Sequence, residues 1–439
     1  MRRGLIRLDS EQGLGFWGAT ALVVGNIIGS SIFMLPALLA PYGANALIAW
    51  AVSLAGAACV AYVYAQLSLH LPTNEGSHGH VASTLGDEAA WIGSWGYLLS
   101  TWTATAAVTV AGVSYCLALM PGVAHWAFGP TLLGLTVIML LLIVNVRGMG
   151  GSVQIVSTVL KLIPFMLVIG LGVVLLVRDG HMVFSGMSPQ PIGWVPAVAS
   201  VGITLFALLG LESAAISART VNDPQRTVPR ATITGLAIAG AISVLVTCIV
   251  AFMMPVGEIA ASSAPMADFI GRFMGSGVGM IIAIFGMVSC FGTLNGLLLV
   301  GGELTAAMAA TGGLPKRAAQ RSARGAPVIG LIFCSLISAV FVLLAFSRRG
   351  AAAFEFVALL TTTTTLVFFV VCTLAALQAR RSGQLPESRT LMIACLGALV
   401  FSAIAFYSAG IESATWGAVC IAVGYAGRRW SNTIKVSLR

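Results

Sequence analysis

Gly25-Asn26-Ile27-Ile28-Gly29-Ser30-Ser31 interrupts an apolar run that extends from about residue 14 to 40. A helix crossing hydrocarbon satisfies its own backbone, whereas flexible and polar residues at mid-depth open that ladder. The opening is tolerated only where the freed N–H and C=O groups line a protein cavity or hold a ligand. A second interruption, Gly210-Leu211-Glu212-Ser213, falls inside the run from about 194 to 218. The two lie about 180 residues apart with five apolar segments in each unit, the pattern of two inverted repeats whose first helices are both discontinuous. The alternative is that these glycines only let helices pack closely.

The composition requires a bilayer around the chain. Its 439 residues are 58% hydrophobic and 8% charged, against about 25% charged in ordinary soluble domains. Further apolar segments lie at about 44–70, 90–119, 129–146, 153–177, 231–254, 278–309, 327–346, 353–378, 390–408 and 411–427. With the two interrupted runs they make about twelve candidate spanning helices. Nothing is left over for a large extramembrane catalytic module. The eight cysteines sit in or beside apolar runs without metal-ligand spacing and read as small buried thiols.

The net charge of +9 is an orientation signal. With the N-terminus inside, 18 of the 23 Lys and Arg residues fall on the inner side, four on the outer side, and Lys161 lies within a segment. Both termini are therefore expected to be cytoplasmic, and no nucleic-acid partner is needed to explain the charge. The expected organisation is a tail at 1–13, a first repeat at 14–192, a second at 193–380, two further helices at 381–427 and a tail at 428–439. The connection after the second segment, LPTNEGSHGHVASTLGDEA, lacks Lys and Arg, and its His78 and His80 read as solvated loop.

Three stretches, GNIIGSSIFMLPALLA (25–40), FALLGLESAAISARTVNDPQRTVPRAT (206–232) and GELTAAMAATGGLP (302–315), resemble the amino acid/polyamine/organocation permeases. Within them the basic amino acid and polyamine antiporters of the arginine/agmatine type are the nearest match. The glycine-glutamate-serine turn followed by Asn222-Asp223-Pro224-Gln225-Arg226 and Pro229 is the specific part. The resemblance covers nearly the whole chain. It implies an all-α fold of twelve helices of the LeuT type, with broken helices 1 and 6, and alternating-access transport of amino acids or their amines across the cell inner membrane. It implies no cofactor. The expected partners are a small-molecule amino acid or amine and the lipid bilayer, with a homodimer left open.

By the same resemblance, a substrate carboxylate would meet amides and hydroxyls at Ser30, Ser31 and Ile32, and its ammonium would meet carbonyls of Ile27, Phe206 and Leu209. Phe206 and Tyr97 match the gating aromatics. Leu297 stands where the arginine/agmatine type has a tryptophan, and Thr105 where it has an asparagine. Ser100, Thr101, Thr105 and the Thr361–Thr365 run offer hydroxyls, although such threonines also satisfy helix backbone. Lacking a cation–π platform at Leu297, the chain is expected to prefer a neutral or small polar amino acid; arginine/agmatine or polyamine exchange is the rival reading.

Charges inside a span cost about 2.5–3.5 kcal/mol on insertion scales, so they default to function. Glu212 lies in the second break and by resemblance relays protonation to gating; a structural capping carboxylate is the alternative. Lys161, in STVLKLIPF, matches a lysine of sodium-independent permeases whose ammonium takes the place of a sodium ion, or else it is a structural ammonium on broken-helix carbonyls. Glu303 reads equally as snorkelling or structural. An intramembrane enzyme would need a paired catalytic or metal set at depth, and no embedded Asp or deep His pair is present.

Overall fold

The computed structural model describes residues 15–29, 31–71, 76–124, 126–148, 160–180, 184, 186–212, 221–322, 325–348 and 351–437. The first apolar run is two helices, α1 (Phe16–Ile27) and α2 (Ser31–Leu39), bent by 48° at the break. There follow α3 (Asn45–His70), the short α4 (Gly76–Leu85), α5 (Asp87–Leu119), α6 (Gly129–Val146) and α7 (Leu162–Asp179). The second half brings α8 (Trp194–Phe206), α9 (Pro224–Met253), α10 (Pro265–Met274), α11 (Ser276–Ala310), α12 (Val328–Phe346), α13 (Ala351–Arg381) and α14 (Arg389–Ser437). Among the described residues nine helices are long and apolar enough to cross a bilayer, and the bent α1–α2 pair makes a tenth.

Two features bring this into register with the sequence pattern. α14 is 49 residues long, roughly 70 Å at helical rise and more than twice the hydrocarbon thickness. It is two helices joined at Gly410, whose φ of +77° no helix contains. Beyond the kink Glu412 pairs with Arg348, which follows α12, while Arg428 Nη1 reaches Glu88 Oε2 in the first turn of α5 at 3.0 Å, so the second half makes a span of its own. The sixth segment is represented by α8, which stops at Phe206; residues 213–220 lie outside the described set.

α5 packs along both α11 and α13, and α3 along α8 and α9, placing these helices around the break in the first span. Close approach uses small residues in place of hydrophobic driving force: a Cβ on Gly330 of α12 would lie 2.5 Å from the Gly302 carbonyl of α11. Polar contacts also cross between spans, as where Asn145 Nδ2 of α6 donates to Asn295 Oδ1 of α11 at 3.0 Å. Large apolar side chains face outward, Val177 and Ile411 more than 80% exposed, because hydrocarbon is the solvent there.

The connection after the second span departs from expectation. It holds the helix α4, in which His80 is 3% exposed and His78 Nδ1 lies 2.8 Å from Ser94 Oγ. The pair is therefore packed against α5 rather than solvated. Burial holds the His80 imidazole down to about 4, opposed by a hydrogen bond with the Leu71 backbone. Glu303 is a surface partner: Arg321 grips it with both guanidinium nitrogens, at 2.5 and 3.0 Å.

Candidate functional site

Local backbone chemistry builds the site. In an unbroken helix the Gly29 N–H would bond the Gly25 carbonyl; here it donates to Ile27 at 2.7 Å instead, which frees the Gly25 oxygen. Lys161 takes it, its Nζ at 2.5 Å. Past the break Ser31 and Ile32 begin α2, where the first-turn N–H groups have no intrahelical acceptor and the helix dipole presents its positive end.

The second break abuts the first. Gly210 has a φ of +106°, and a Cβ there would sit 3.0 Å from the Asn26 carbonyl carbon; only glycine permits both the conformation and the approach. Glu212, 2% exposed, accepts from the Gly210 N–H at 3.3 Å and from the Tyr97 hydroxyl of α5. Tyr97 in turn packs on Phe368 with ring centroids 4.9 Å apart, and Phe206 on Phe354 at 5.6 Å.

These groups surround a cavity of about 400 Å³, within the range of small-molecule sites. Of the residues singled out in the sequence, Ile27, Ser31, Phe206, Leu209, Ser100, Thr101, Leu297, Thr361, Tyr97, Glu212 and Lys161 line it. Ile32 and Thr105 are not among its lining residues, and Ser30 lies outside the described residues. Thr105 is fully buried and donates to the Thr101 carbonyl at 2.7 Å. Ser100 and Thr101 likewise donate to Tyr97, and Thr361 to Val357. Their protons are spent on helix carbonyls, so what they offer a ligand is lone pairs, which suit an ammonium better than a carboxylate.

Asn26 of the first break and Thr365 of the threonine run line the cavity too, whereas sequence reasoning missed Thr293, Gly296 and Val300, which also line it. Thr293 and Val300 flank Leu297 at helical spacings of four and three, so the stripe on α11 was there to be found by periodicity. The α1 lining, from Leu22 to Ile27, lies wholly before the break, and the α11 lining lies in that helix's second half. The lining also continues through the break to Gly29 and Ser31, which centres the cavity on that break.

Two abutting helix breaks around a small-molecule cavity in a membrane bundle are the architecture of a transporter of the LeuT type. The amino acid permease family matches residues 14–423, and the chain belongs to that family. A putative arginine/ornithine antiporter of Bacillus subtilis is 31% identical over 373 residues, covering 78% of this chain and 79% of the relative. The cadaverine/lysine antiporter of Escherichia coli K12 is 28% identical over 75% of this chain and 74% of its own. A putrescine transporter of Haemophilus influenzae is 26% identical over 94% and 95%. Among solved structures, a Na+-coupled sialic acid symporter in a substrate-bound outward-open state shares the fold, with a TM-score of 0.54 over 90% of each chain and 13% identity.

Proposed function

We propose that the protein exchanges amino acids across the cell inner membrane by alternating access, without sodium and with proton linkage, both termini being cytoplasmic. The repeats at 14–192 and 193–380 rock against each other around the two breaks. The substrate carboxylate sits at the start of α2, on the amides of Ser30, Ser31 and Ile32, where dipole and orphan donors favour an anion. The ammonium faces the carbonyls of Ile27, Phe206 and Leu209 and the acceptor hydroxyls of α5 and α13. Lys161 holds the end of α1 in the manner of a bound cation, and the Tyr97–Glu212 pair ties the second break to α5, so that protonation of Glu212 loosens that tie during gating.

The observation that carries this reading is the contact of the two breaks across Gly210 and Asn26 on one cavity wall. A second reading, exchange of basic amino acids or diamines, is favoured by the relatives, whose names specify arginine, ornithine, lysine, cadaverine and putrescine. Leu297, in place of an aromatic, favours neutral side chains. Counterflow into proteoliposomes against a panel of neutral amino acids, basic amino acids and diamines, with and without sodium, tests both. Uptake that requires sodium, or no exchange of any amino acid or amine, contradicts the proposal; preference for the basic set selects the second reading.

A further inference from the structure

α5 carries two stripes. One, with Tyr97, Ser100, Thr101, Ala104 and Val108, faces the transport cavity; the other, with Trp91, Trp95, Leu99 and Trp102, faces a separate groove of about 460 Å³ shared with α12 and the second half of α14. The groove's wall is built and held. Trp91 and Trp95 stack at 5.4 Å with planes 9° apart. Their indole N–H groups donate to the carbonyls of Gly313 and Cys420, both at 3.2 Å, so the rings cannot swing in to close the space. The lipid-facing rim is apolar, with Phe333 37%, Val419 47% and Val423 67% exposed.

One end of the groove is cationic. Arg428 lines it, its guanidinium 5.1 Å from the Trp91 ring centroid, and the Gly312–Pro315 loop that closes the same end leads directly into exposed Lys316 and Arg317. Glu88 pairs with Arg428 through one nitrogen at 3.0 Å and is itself 66% exposed, leaving further guanidinium donors for a second anion. An apolar slot open sideways to hydrocarbon and ending in positive charge at the headgroup level matches an amphiphile with an acyl chain and an anionic head.

We infer that this groove is a binding site for one anionic phospholipid, an acyl chain lying along Trp91, Trp95 and Trp102 and the phosphate meeting Arg428, Lys316 and Arg317. It is separate from the transport cavity and stands whether or not the proposed substrate is right.

The test uses tryptophan quenching of the full-length protein in bilayers that contain dibrominated phosphatidylglycerol or dibrominated phosphatidylcholine at equal mole fraction. The wild type is expected to bind the brominated phosphatidylglycerol in preference. Arg428→Gln should lower that preference by roughly fivefold, the size expected of one basic side chain against an anionic head, and leave quenching by phosphatidylcholine unchanged. Glu88→Gln, at an exposed site, removes the competing carboxylate and should raise the preference. Ile337→Phe, which fills the groove, should weaken quenching by both lipids, with counterflow confirming a folded protein. Equal quenching by the two lipids in the wild type, or a preference untouched by Arg428→Gln and Glu88→Gln, overturns the proposal. So does protection from both lipids together with a disulfide between two copies of Val423→Cys, which would assign the groove to a second copy of the chain.

Discussion

The Lys161 ammonium lies 2.5 Å from the Gly25 carbonyl oxygen, the acceptor released when the Gly29 N–H turns to Ile27. A cation from the fifth span thus completes the backbone of the first, at the point where the first span stops being a helix. If that contact holds α1 in place, transport by the wild type is independent of sodium and depends on pH. With Glu212 as the group that gates, Glu212→Gln should abolish the pH dependence of counterflow; its loss in Lys161→Ala instead would make the lysine the proton carrier. An unchanged pH profile in Lys161→Ala would leave the lysine a structural ammonium.

Gly210→Ala is expected to cost about 1–3 kcal/mol of backbone strain at its positive φ and to push the Asn26 peptide, 3.0–3.1 Å from the new methyl. Substrate binding by equilibrium dialysis should fall sharply while the protein still inserts. Binding at wild-type strength would mean that the contact between the breaks does not shape the site.

Leu297→Trp places an aromatic face in the cavity. It should strengthen arginine or agmatine relative to neutral amino acids by roughly the 0.5–2 kcal/mol of a cation–π contact, read as competition in counterflow. A wild type that already exchanges arginine tightly, with no gain in the variant, would show that another group receives the guanidinium.

His80 gives a signed acid effect. Its folded-state value of about 4 lies below the ordinary 6.5, so burial of the neutral ring contributes stability that is fully present above pH 6.5. That contribution is lost as pH falls toward 4, on the order of 3 kcal/mol in all. His80→Leu should flatten the decline of thermal stability across that window. An identical decline in both proteins would place the acid sensitivity elsewhere.

The breaks, the spans and most of the cavity residues were legible because the bilayer removes alternatives: glycine, serine and glutamate at mid-depth have few uses there. The kink at Gly410 was legible for a related reason, since no helix of that length fits a membrane. His80 was not. Polar connections read as solvated, and nothing in GSHGHVASTL signals that α4 lies down on α5. The side-chain pocket was only partly legible: Thr293 and Val300 follow from Leu297 by helical spacing, whereas the packing of Ile32 and Thr105 was hidden because rotation of a helix uniformly apolar all round leaves little trace in its sequence.

Ser31 offers the most direct measurement of where the substrate lies. As the first residue of α2 its N–H has no intrahelical partner, and proline is well tolerated at that position, so Ser31→Pro removes a donor that only a ligand would miss. Ser31→Ala keeps the amide and removes the hydroxyl. Binding of a labelled amino acid substrate to the two purified variants should be abolished in Ser31→Pro and retained, within severalfold, in Ser31→Ala. Wild-type affinity in Ser31→Pro would contradict a carboxylate held by the start of α2.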